Sequence, residues 1–513
     1  MGNPLTEQIN KTEAPMQNIP PVYPALTDSY LDNVALLDHI LRVEESFDLI
    51  KKPLKVGKDE MTLYYIDGFI KDTVMMKLMM SFLALQDLTT ATEEHGGVGT
   101  LAETAAGKSH LLPALRFCAR ALPYVETDVT DSTDMAVQMV LSGAAVMVGS
   151  PFGRAVVVID ARSYPARDTT EPEGDKVMRG ARDGFVETLI FNTALIRRRV
   201  RDPSLTVSYL SVGSCSKTDI AVCYMEGRAD RDLVERVKTK LAAVKTDALT
   251  MGHESLAEVL IRKRWYNPFP KIRYTERPDT AAAQIMEGSV LVICDTSPQV
   301  MILPTSIFDF MQETNDFYFP PLTGTYIRIV RHVVFWLTLF LTPTWYLLIM
   351  HPEFLPEWLS FIIPTETGRI PILAQLLLVE FMIDGLRMAS LNTPSMLSNS
   401  LSVVGGLILG DFAVQIGWLI PEVILYMAFV AIANFTQRSY ELGYAFKFMR
   451  MGLLILTALG GYWGFGIGVV GIVVLLFTNV TVTGKRHYLY PLIPFDGKAL
   501  RSLFFRVRKD GGD

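Results

Sequence analysis

The stretch "IRIVRHVVFWLTLFLTPTWYLLIM", residues 327–350, divides the chain into two parts of different composition. Beyond Arg328 and Arg331 it is an apolar run, and about twenty such residues cross a bilayer as a helix. The chain has 513 residues, of which 50% are hydrophobic, and most of the apolar excess follows Tyr326. The sequence therefore predicts an α+β cytosolic domain of two subdomains followed by an α-helical transmembrane domain.

Shifts in composition predict five segments along the chain. Residues 1–30 are polar and rich in proline, which predicts a disordered tail. Mixed helix and strand patterns predict cytosolic α/β subdomains at 31–165 and 175–325, separated by the polar stretch "SYPARDTTEPEGDK". A multi-span helical membrane domain is predicted at 327–480, and a basic cytosolic tail at 481–513.

Two patterns in the cytosolic half have more than one interpretation. "DTVMMKLMMSFLALQDL", residues 72–88, has a methionine-rich helical face, which we interpret as core packing rather than a binding groove. A second helix ends in four arginines, Arg197, Arg198, Arg199 and Arg201. They could meet lipid headgroups or a carboxylate partner, but a solvated helix end is the favoured interpretation.

The sequence contains no convincing enzyme motif. "AETAAGKSH", residues 102–110, ends like a phosphate-binding loop, and Asp160 ends an apolar run as a magnesium-holding aspartate would. However, Ala102 stands where the loop needs its first glycine, the preceding residues are polar, and Pro113 interrupts the helix that should follow. We therefore interpret this stretch as a solvated loop and predict no enzyme and no cofactor.

Metal and nucleic-acid sites are also not predicted. The four cysteines have no CxxC spacing and the seven histidines are scattered, so we predict no metal site and reduced thiols on the cytosolic side. The net charge of −6 gives no support to nucleic-acid binding.

Charges around the apolar stretches predict the membrane topology. Arg328 and Arg331 precede the first span and two glutamates follow it, which predicts a cytosolic N-terminal domain. The basic C-terminal tail should also be cytosolic, and this requires an even number of crossings, whereas five apolar stretches are visible. Either the stretch 370–391 is re-entrant or in-plane, as its three charges favour, or the last stretch is a hairpin at its glycines.

The charges of that stretch are the candidate site. Glu380, Asp384 and Arg387 lie at i, i+4 and i+7, so a helix places them on one face, where Asp384 can pair with Arg387. Charges at membrane depth are costly and usually face protein or water. The face could line a cation pathway, form a structural ion pair between helices, or belong to an amphipathic helix at the surface.

The next stretch, "NTPSMLSNSLS", extends the candidate pore lining. Its polar side chains include Ser395, Ser398 and Asn399. They could line a pore or only satisfy a helix that Pro394 interrupts.

Gly460, Gly464 and Gly468 recur every four residues in the last apolar stretch. This spacing creates a small-residue face against which another helix can pack closely. Helix packing, within or between subunits, is the favoured interpretation, and a flexible hinge is the alternative.

Three long stretches resemble the GerA family of spore germination proteins, A-subunit type. They are "RGARDGFVETLIFNTALIRRRVRDPSL", "YTERPDTAAAQIMEGSVLVICDTSPQVMILP" and "TPSMLSNSLSVVGGLILGDFAVQIGWL". The resemblance implies a multi-pass protein of the endospore inner membrane with both termini cytosolic. It also implies a homo-oligomeric ring, an ion channel, and other spore inner-membrane germination proteins and the lipid bilayer as partners.

The leading hypothesis is therefore a channel subunit that releases monovalent cations during germination. A non-conducting scaffold for germinant receptors or for the dipicolinic acid release machinery is the alternative. A transporter of a small acid would need a basic site at the membrane midplane, for which the sequence offered only Arg387.

Overall fold

The computed structural model describes residues 23–92, 109–164, 180–261, 266–313, 315–365, 368–392, 412–437, 439–482 and 488–505. The chain forms two compact units. The first comprises Met1–Pro165 and Val200–Thr206, and the second comprises Ala166–Arg199 and Val207–Asp513.

The first unit is built on an antiparallel sheet with the strand order β1-β2-β4-β5-β3 in its described residues. The strands are β1 (Leu49–Val56), β2 (Asp59–Ile66), β3 (Thr127–Thr130), β4 (Ala145–Gly149) and β5 (Val156–Ile159). The α-helices are α1 (Tyr30–Leu41), α2 (Asp72–Leu83), α3 (Leu88–Thr92), α4 (Leu112–Ala121) and α5 (Thr133–Leu141). Every residue of β4 and β5 is buried, which fits their continuous apolar sequence.

The second unit begins with a sheet of the same kind. Its described strands have the order β6-β7-β9-β10-β8. They are β6 (Leu205–Val212), β7 (Thr218–Met225), β8 (Arg273–Thr275), β9 (Val290–Cys294) and β10 (Val300–Leu303). The helices of this part are α6 (Leu189–Arg199), α7 (Arg231–Ala242), α8 (His253–Leu260) and α9 (Pro278–Met286).

The two sheets share one topology, a repetition that the sequence analysis did not detect. Adding five to each strand number in the order 1-2-4-5-3 gives the order 6-7-9-10-8. Gly143 and Gly288 follow equivalent helices, and both have a φ of +99°. Asn33 of α1 and Asn192 of α6 are both fully buried. Each side chain both donates to and accepts from the backbone of the residue six positions earlier. The same pair of hydrogen bonds therefore holds the preceding segment against each helix.

The methionine-rich face of α2 is only partly core. Met75 and Met79 pack against the core of the first unit, as predicted. Met76 and Met80 are 56% and 64% exposed, so the prediction is wrong for them. The helix buries one narrow stripe, and methionines on both sides of it fall outside.

The interpretation of the arginine cluster as a solvated helix end is wrong for Arg197 and Arg199, whereas Arg198 and Arg201 are exposed. Arg197 is fully buried, and the Arg199 guanidinium donates to both carboxylate oxygens of Asp183 at 2.7 and 2.6 Å. A buried arginine needs such partners, because an unpaired buried charge is costly. Arg197 and Arg199 therefore contribute to the second unit by burial and by pairing.

The four cysteines should differ in their reactivity in the folded protein. All four are free thiols, and only Cys215 is exposed. Burial raises the pKa of the Cys118 and Cys294 thiols to about 11, which lowers their thiolate fraction. We expect a thiol reagent such as DTNB to titrate one fast thiol in the native protein and the others only after unfolding. Cys215→Ser should abolish the fast phase; a fast phase that survives this change would contradict the fold.

A group of helices completes the second unit. They are α10 (Asn315–Tyr318), α11 (Pro321–Met350), α12 (Ile372–Asn392), α13 (Ala413–Gln415), α14 (Pro421–Phe435), α15 (Tyr440–Phe477) and α16 (Gly497–Phe504). Proline begins α11 and α14, where its missing N–H costs no helical bond. Among the described residues, α11 and α15 are long and apolar enough to cross a membrane.

Helix α15 is a hairpin of two helical limbs. Gly461 has non-helical backbone angles, with φ 55° and ψ −133°, a region that favours glycine. Beyond it the chain folds back. A Cβ on Gly464 would lie 1.9 Å from the carbonyl oxygen of Leu456, and one on Gly468 would lie 2.4 Å from Cδ1 of Leu453. The hairpin that the sequence analysis considered for the last apolar stretch is therefore present.

The favoured alternative, a re-entrant or in-plane stretch at 370–391, stays a prediction. Helix α12 is continuous over 21 residues and is about 31 Å long at 1.5 Å per residue. Its contacts run from Glu380 with Arg450 to Arg387 with Tyr440, so it lies antiparallel beside the first limb of α15. Its charges are accommodated by partners on that limb, which a single sequence stretch does not reveal.

The first limb of α15 begins, and the second limb ends, close to the part of the second unit that contains the sheet. The tip at Gly461 lies beside His351, just after the end of α11. Near the other end, Asn267 donates to the carbonyl of Leu475 at 3.4 Å, and the Arg328 guanidinium near the start of α11 donates to the carbonyl of Ser502 in α16 at 2.9 Å. The start of α11 and the end of α15 therefore lie on the same side of the helical group.

The arginines that suggested the orientation are internally paired. Arg331 donates to Glu313 at 2.5 Å and to both carboxylate oxygens of Asp316 at 2.5 and 2.9 Å. Arg328 is 5% exposed and lies 3.5 Å from the same Asp316 carboxylate. These contacts fix the start of α11 to the segment that precedes it.

Candidate functional site

The candidate site lies where α12 packs against the first limb of α15. There, the carboxylates of Glu380 and Asp384 meet the cationic side chains of Lys447 and Arg450. Lys447 and Arg450 lie at i and i+3, so the helix projects both toward α12. The four formal charges cancel, and we call these residues the charge quartet.

Glu380 and Arg450 form the buried half of the quartet. They are 3% and 0% exposed. The Arg450 Nε donates to Glu380 Oε1 at 2.7 Å, its Nη2 contacts the same oxygen, and its Nη1 donates to the carbonyl of Thr338 at 2.6 Å. Arg450 thereby joins three helices, α11, α12 and α15, through charge-assisted hydrogen bonds.

Lys447 bridges the two carboxylates. Its ammonium lies 3.4 Å from Glu380 Oε2, contacts Asp384 Oδ2 directly, and donates to the Glu380 carbonyl at 3.2 Å. The Asp384 side chain is 29% exposed, so it forms the accessible edge of the quartet. The predicted pairing of Asp384 with Arg387 is wrong, because Lys447 of the neighbouring helix occupies that position.

Arg387 is held by aromatic rings instead. Its guanidinium lies 4.7, 5.3 and 5.6 Å from the ring centroids of Tyr440, Tyr444 and Phe435. These distances are in the range of cation–π attraction. A cleft lined by Asp384, Arg387, Asn434 and Tyr444, among others, has about 20 Å³ of room, enough for one water molecule.

The sequence analysis identified Glu380, Asp384 and Arg387. It missed the two basic residues that pair with the carboxylates. Lys447 and Arg450 were visible as the only basic residues of "AFKFMR", immediately before an apolar stretch. That placement alone is a signal, because a cation so close to an apolar helix usually has a buried partner. The other predicted pore residues, Ser395, Ser398 and Asn399, lie outside the described residues.

The three glycines predicted to pack against a helix differ in their contacts. Gly464 and Gly468 face the first limb of α15 at the distances given above, whereas a Cβ on Gly460 would have no described atom within 4 Å. In the structure the close packing is within one subunit.

Exposure in the helical group is inverted relative to a water-soluble protein. Leu459, Trp463, Ile467 and Val470 are 81%, 70%, 65% and 62% exposed, while the charge quartet is inside. Within the described residues no three His, Cys, Asp or Glu side chains come together as a metal site.

The comparisons with known proteins identify the family of this chain. The family model described as Bacillus/Clostridium GerA spore germination protein matches residues 37–510. The chain therefore belongs to the GerA family of spore germination proteins, and the resemblance seen in the sequence is confirmed.

Individual relatives are similar over most of their length. The chain is 38% identical to stage V sporulation protein AF of Bacillus subtilis (strain 168), over 91% of this chain and 90% of that protein. It is 27% identical to spore germination protein KA of the same strain, over 91% and 82%. The crystal structure of the N-terminal domain of the A subunit of the Bacillus megaterium spore germinant receptor GerK3 aligns over 55% of this chain and 96% of that one, with 18% identity and a TM-score of 0.38.

Proposed function

We propose that this protein is a subunit of a homo-oligomeric channel in the endospore inner membrane that releases monovalent cations during germination. Its helical group would cross the membrane several times, with both termini cytosolic. The inverted exposure of the helical group supports the membrane location, because an apolar outside and a charged inside suit a bilayer. The start of α11 and the end of α15 lie on one side, which supports termini on the same side.

The observation that carries the conducting role is the charge quartet. Its accessible carboxylate, Asp384, contacts an ammonium group, Lys447, beside a cleft. An ammonium and a hydrated potassium ion are both monovalent cations, so the Asp384 carboxylate is chemically suited to a passing cation. Movement of Lys447 away from Asp384 would leave that carboxylate available, and this is a direct way to open a pathway.

The same quartet also supports the second candidate, a non-conducting scaffold for other germination proteins. Its charges cancel, and Glu380 and Arg450 satisfy each other in a buried setting. Such pairs can serve only to hold helices in register. In a scaffold the Asp384 carboxylate would have no role in transport.

Potassium efflux from liposomes containing the purified full-length protein separates the two candidates. We expect efflux through the parent and at least about a tenfold lower rate for Asp384→Asn, because the uncompensated Lys447 ammonium would then repel cations. Glu357→Gln makes the same chemical change at an exposed carboxylate and should conduct like the parent.

Each other outcome has a definite meaning. Equal efflux in parent and Asp384→Asn would remove Asp384 from the pathway and keep the channel. No efflux from folded oligomer, alone or with other spore membrane proteins, would favour the scaffold. In that case Asp384→Asn would support germination normally in spores, while a disruption of the glycine contacts of α15 would not.

A further inference from the structure

Helix α16 and the residues that lead into it have one buried and one exposed side. On the buried side, Leu503 belongs to the core of the helical group, and Leu500 and Phe504 pack against that core. The exposed side combines large apolar side chains with basic ones. Its residues, which we call the C-terminal surface, are Leu492, Ile493, Phe495, Lys498, Arg501 and Phe505.

The C-terminal surface lies at the level where the apolar run of α11 begins. The Arg328 guanidinium donates to the carbonyl of Ser502 at 2.9 Å. The ring of His332 lies 4.9 Å from the ring of Phe504, centroid to centroid. The apolar run starts at Val333, directly after His332. If α11 crosses the bilayer, as proposed above, α16 lies beside the headgroups of the leaflet at which α11 enters.

The charge of this region is opposite to that of the whole chain. Residues 481–513 include seven lysines and arginines against three aspartates, whereas the chain has a net charge of −6. Asp496 is the acidic residue of the described range 488–505, and it caps α16. Its carboxylate accepts from the backbone N–H groups of Lys498 and Ala499 at 3.0 Å each and from the Tyr490 hydroxyl at 2.9 Å. The region therefore keeps a positive charge.

The apolar part of the surface indicates what covers it. Phe495 and Phe505 are 75% and 53% exposed. A solvated helix end accounts for Lys498 and Arg501 but not for several large apolar side chains beside them. Segments that lie in a membrane surface have this combination, because their apolar residues enter the boundary of the acyl chains while lysine and arginine contact the phosphates.

We propose that the C-terminal surface binds the headgroups of anionic phospholipids. Lys498 and Arg501 contact the phosphates, and Phe495 and Phe505 enter the adjoining part of the acyl layer. Through the contacts of α16 with Arg328 and His332, this binding holds the start of α11 at a fixed depth. The inference rests on the proposed membrane location of the helical group, but it does not require that the protein conducts ions.

Binding of a fluorescent lipid to the full-length protein in detergent micelles tests the charge contacts. The probe is phosphatidylglycerol with an NBD label on its acyl chain, and the same label on phosphatidylcholine gives the zwitterionic counterpart. We expect the parent to bind phosphatidylglycerol about tenfold more tightly, and Lys498→Gln combined with Arg501→Gln to remove this preference. Lys52→Gln combined with Lys55→Gln removes two exposed lysines of β1 and should bind like the parent.

Quenching by brominated lipid tests the depth of the apolar part. Phe495→Cys combined with Cys215→Ser replaces the exposed native thiol by one at position 495, which is labelled with bimane. In vesicles of phosphatidylcholine and phosphatidylglycerol, we expect lipid brominated on the acyl chain to quench this label. Bimane on Cys215 of the parent, in the polar turn between β6 and β7, should stay unquenched. The native tryptophans, including Trp463 at 70% exposure, report the membrane location independently.

Thermal unfolding of each variant confirms that it is folded, and the other outcomes are decisive. Equal binding of the two lipids by the parent, or an unchanged preference in the Lys498 and Arg501 double variant, would overturn the proposal. Quenching of tryptophan without quenching at position 495 would reject this surface and keep the membrane location, whereas quenching of neither would reject both. A label at 495 that is shielded from water but unquenched would also overturn the proposal, since protein would then cover the surface. Lipid preference in a protein that conducts no ions would uphold the surface and reject only the channel.

Discussion

Arg450→Met will destabilise the helical group more than any other single charge removal in the described residues. The change leaves the Glu380 carboxylate at 3% exposure with only the more distant Lys447, and it also frees the Thr338 carbonyl. Breaking a buried pair typically costs about 3–5 kcal/mol. In detergent micelles, we expect the apparent melting temperature to fall by roughly 10 °C, measured by tryptophan fluorescence.

A double variant and a control variant show whether the loss of stability comes from the buried pair. Glu380→Gln combined with Arg450→Met removes both charges and should recover most of the lost stability, since the isolated carboxylate is the main cost. Arg501→Met removes an exposed arginine of α16 and should melt within about 0.5 kcal/mol of the parent. If Arg450→Met melts like Arg501→Met, the buried half of the quartet does not form.

Gly464→Leu will prevent the α15 hairpin from closing. The new Cβ would lie 1.9 Å from the Leu456 carbonyl oxygen, and backbone on the facing limb cannot give way as a flexible side chain can. Overpacking of a buried contact costs about 1–3 kcal/mol when neighbours can shift, and a backbone clash should exceed that. We expect a large loss of monodisperse protein and faster hydrogen exchange throughout 440–477.

Gly466→Leu is the matched control. Gly466 is two residues away in the same limb, and a Cβ there would have no described atom within 4 Å. The substitution should be neutral or slightly stabilising, because leucine is the better helix former. Equal tolerance of both substitutions would contradict the hairpin. Sensitivity at Gly466 alone would show that the open glycine face packs against another subunit instead.

The helices and strands were largely predictable because their signals are local. The alternation of "EMTLYYIDGFI", residues 60–70, is typical of a strand and covers most of β2. The apolar runs on either side of the turn in "GSVLVICDTSPQVMILP" are also typical of strands and coincide with β9 and β10. The duplicated topology of the two sheets was missed, because strand order depends on pairing between segments far apart in the chain. Its local trace, the glycines at 143 and 288 after equivalent helices, is readable only once the two sheets are compared.

The candidate site was half predictable for a similar reason. Glu380, Asp384 and Arg387 stand out because charges are rare in apolar stretches. Their partners were misassigned, because spacing within one helix favoured Asp384 with Arg387, whereas Arg387 contacts aromatic rings. The partner of Glu380 is 70 positions away, and periodicity within one segment carries no information about such a contact.

The sequence by itself determined the division into a polar and an apolar half, the family, and the places where charges enter apolar helices. These are properties of composition and of motifs, which persist whatever the chain does in three dimensions. Only the tertiary structure decided which charges neutralise one another, that the last apolar stretch turns back at Gly461, and that Gly464 and Gly468 pack inside one subunit. Those outcomes depend on which helices become neighbours, because a charge or a glycine acts through whatever lies opposite it.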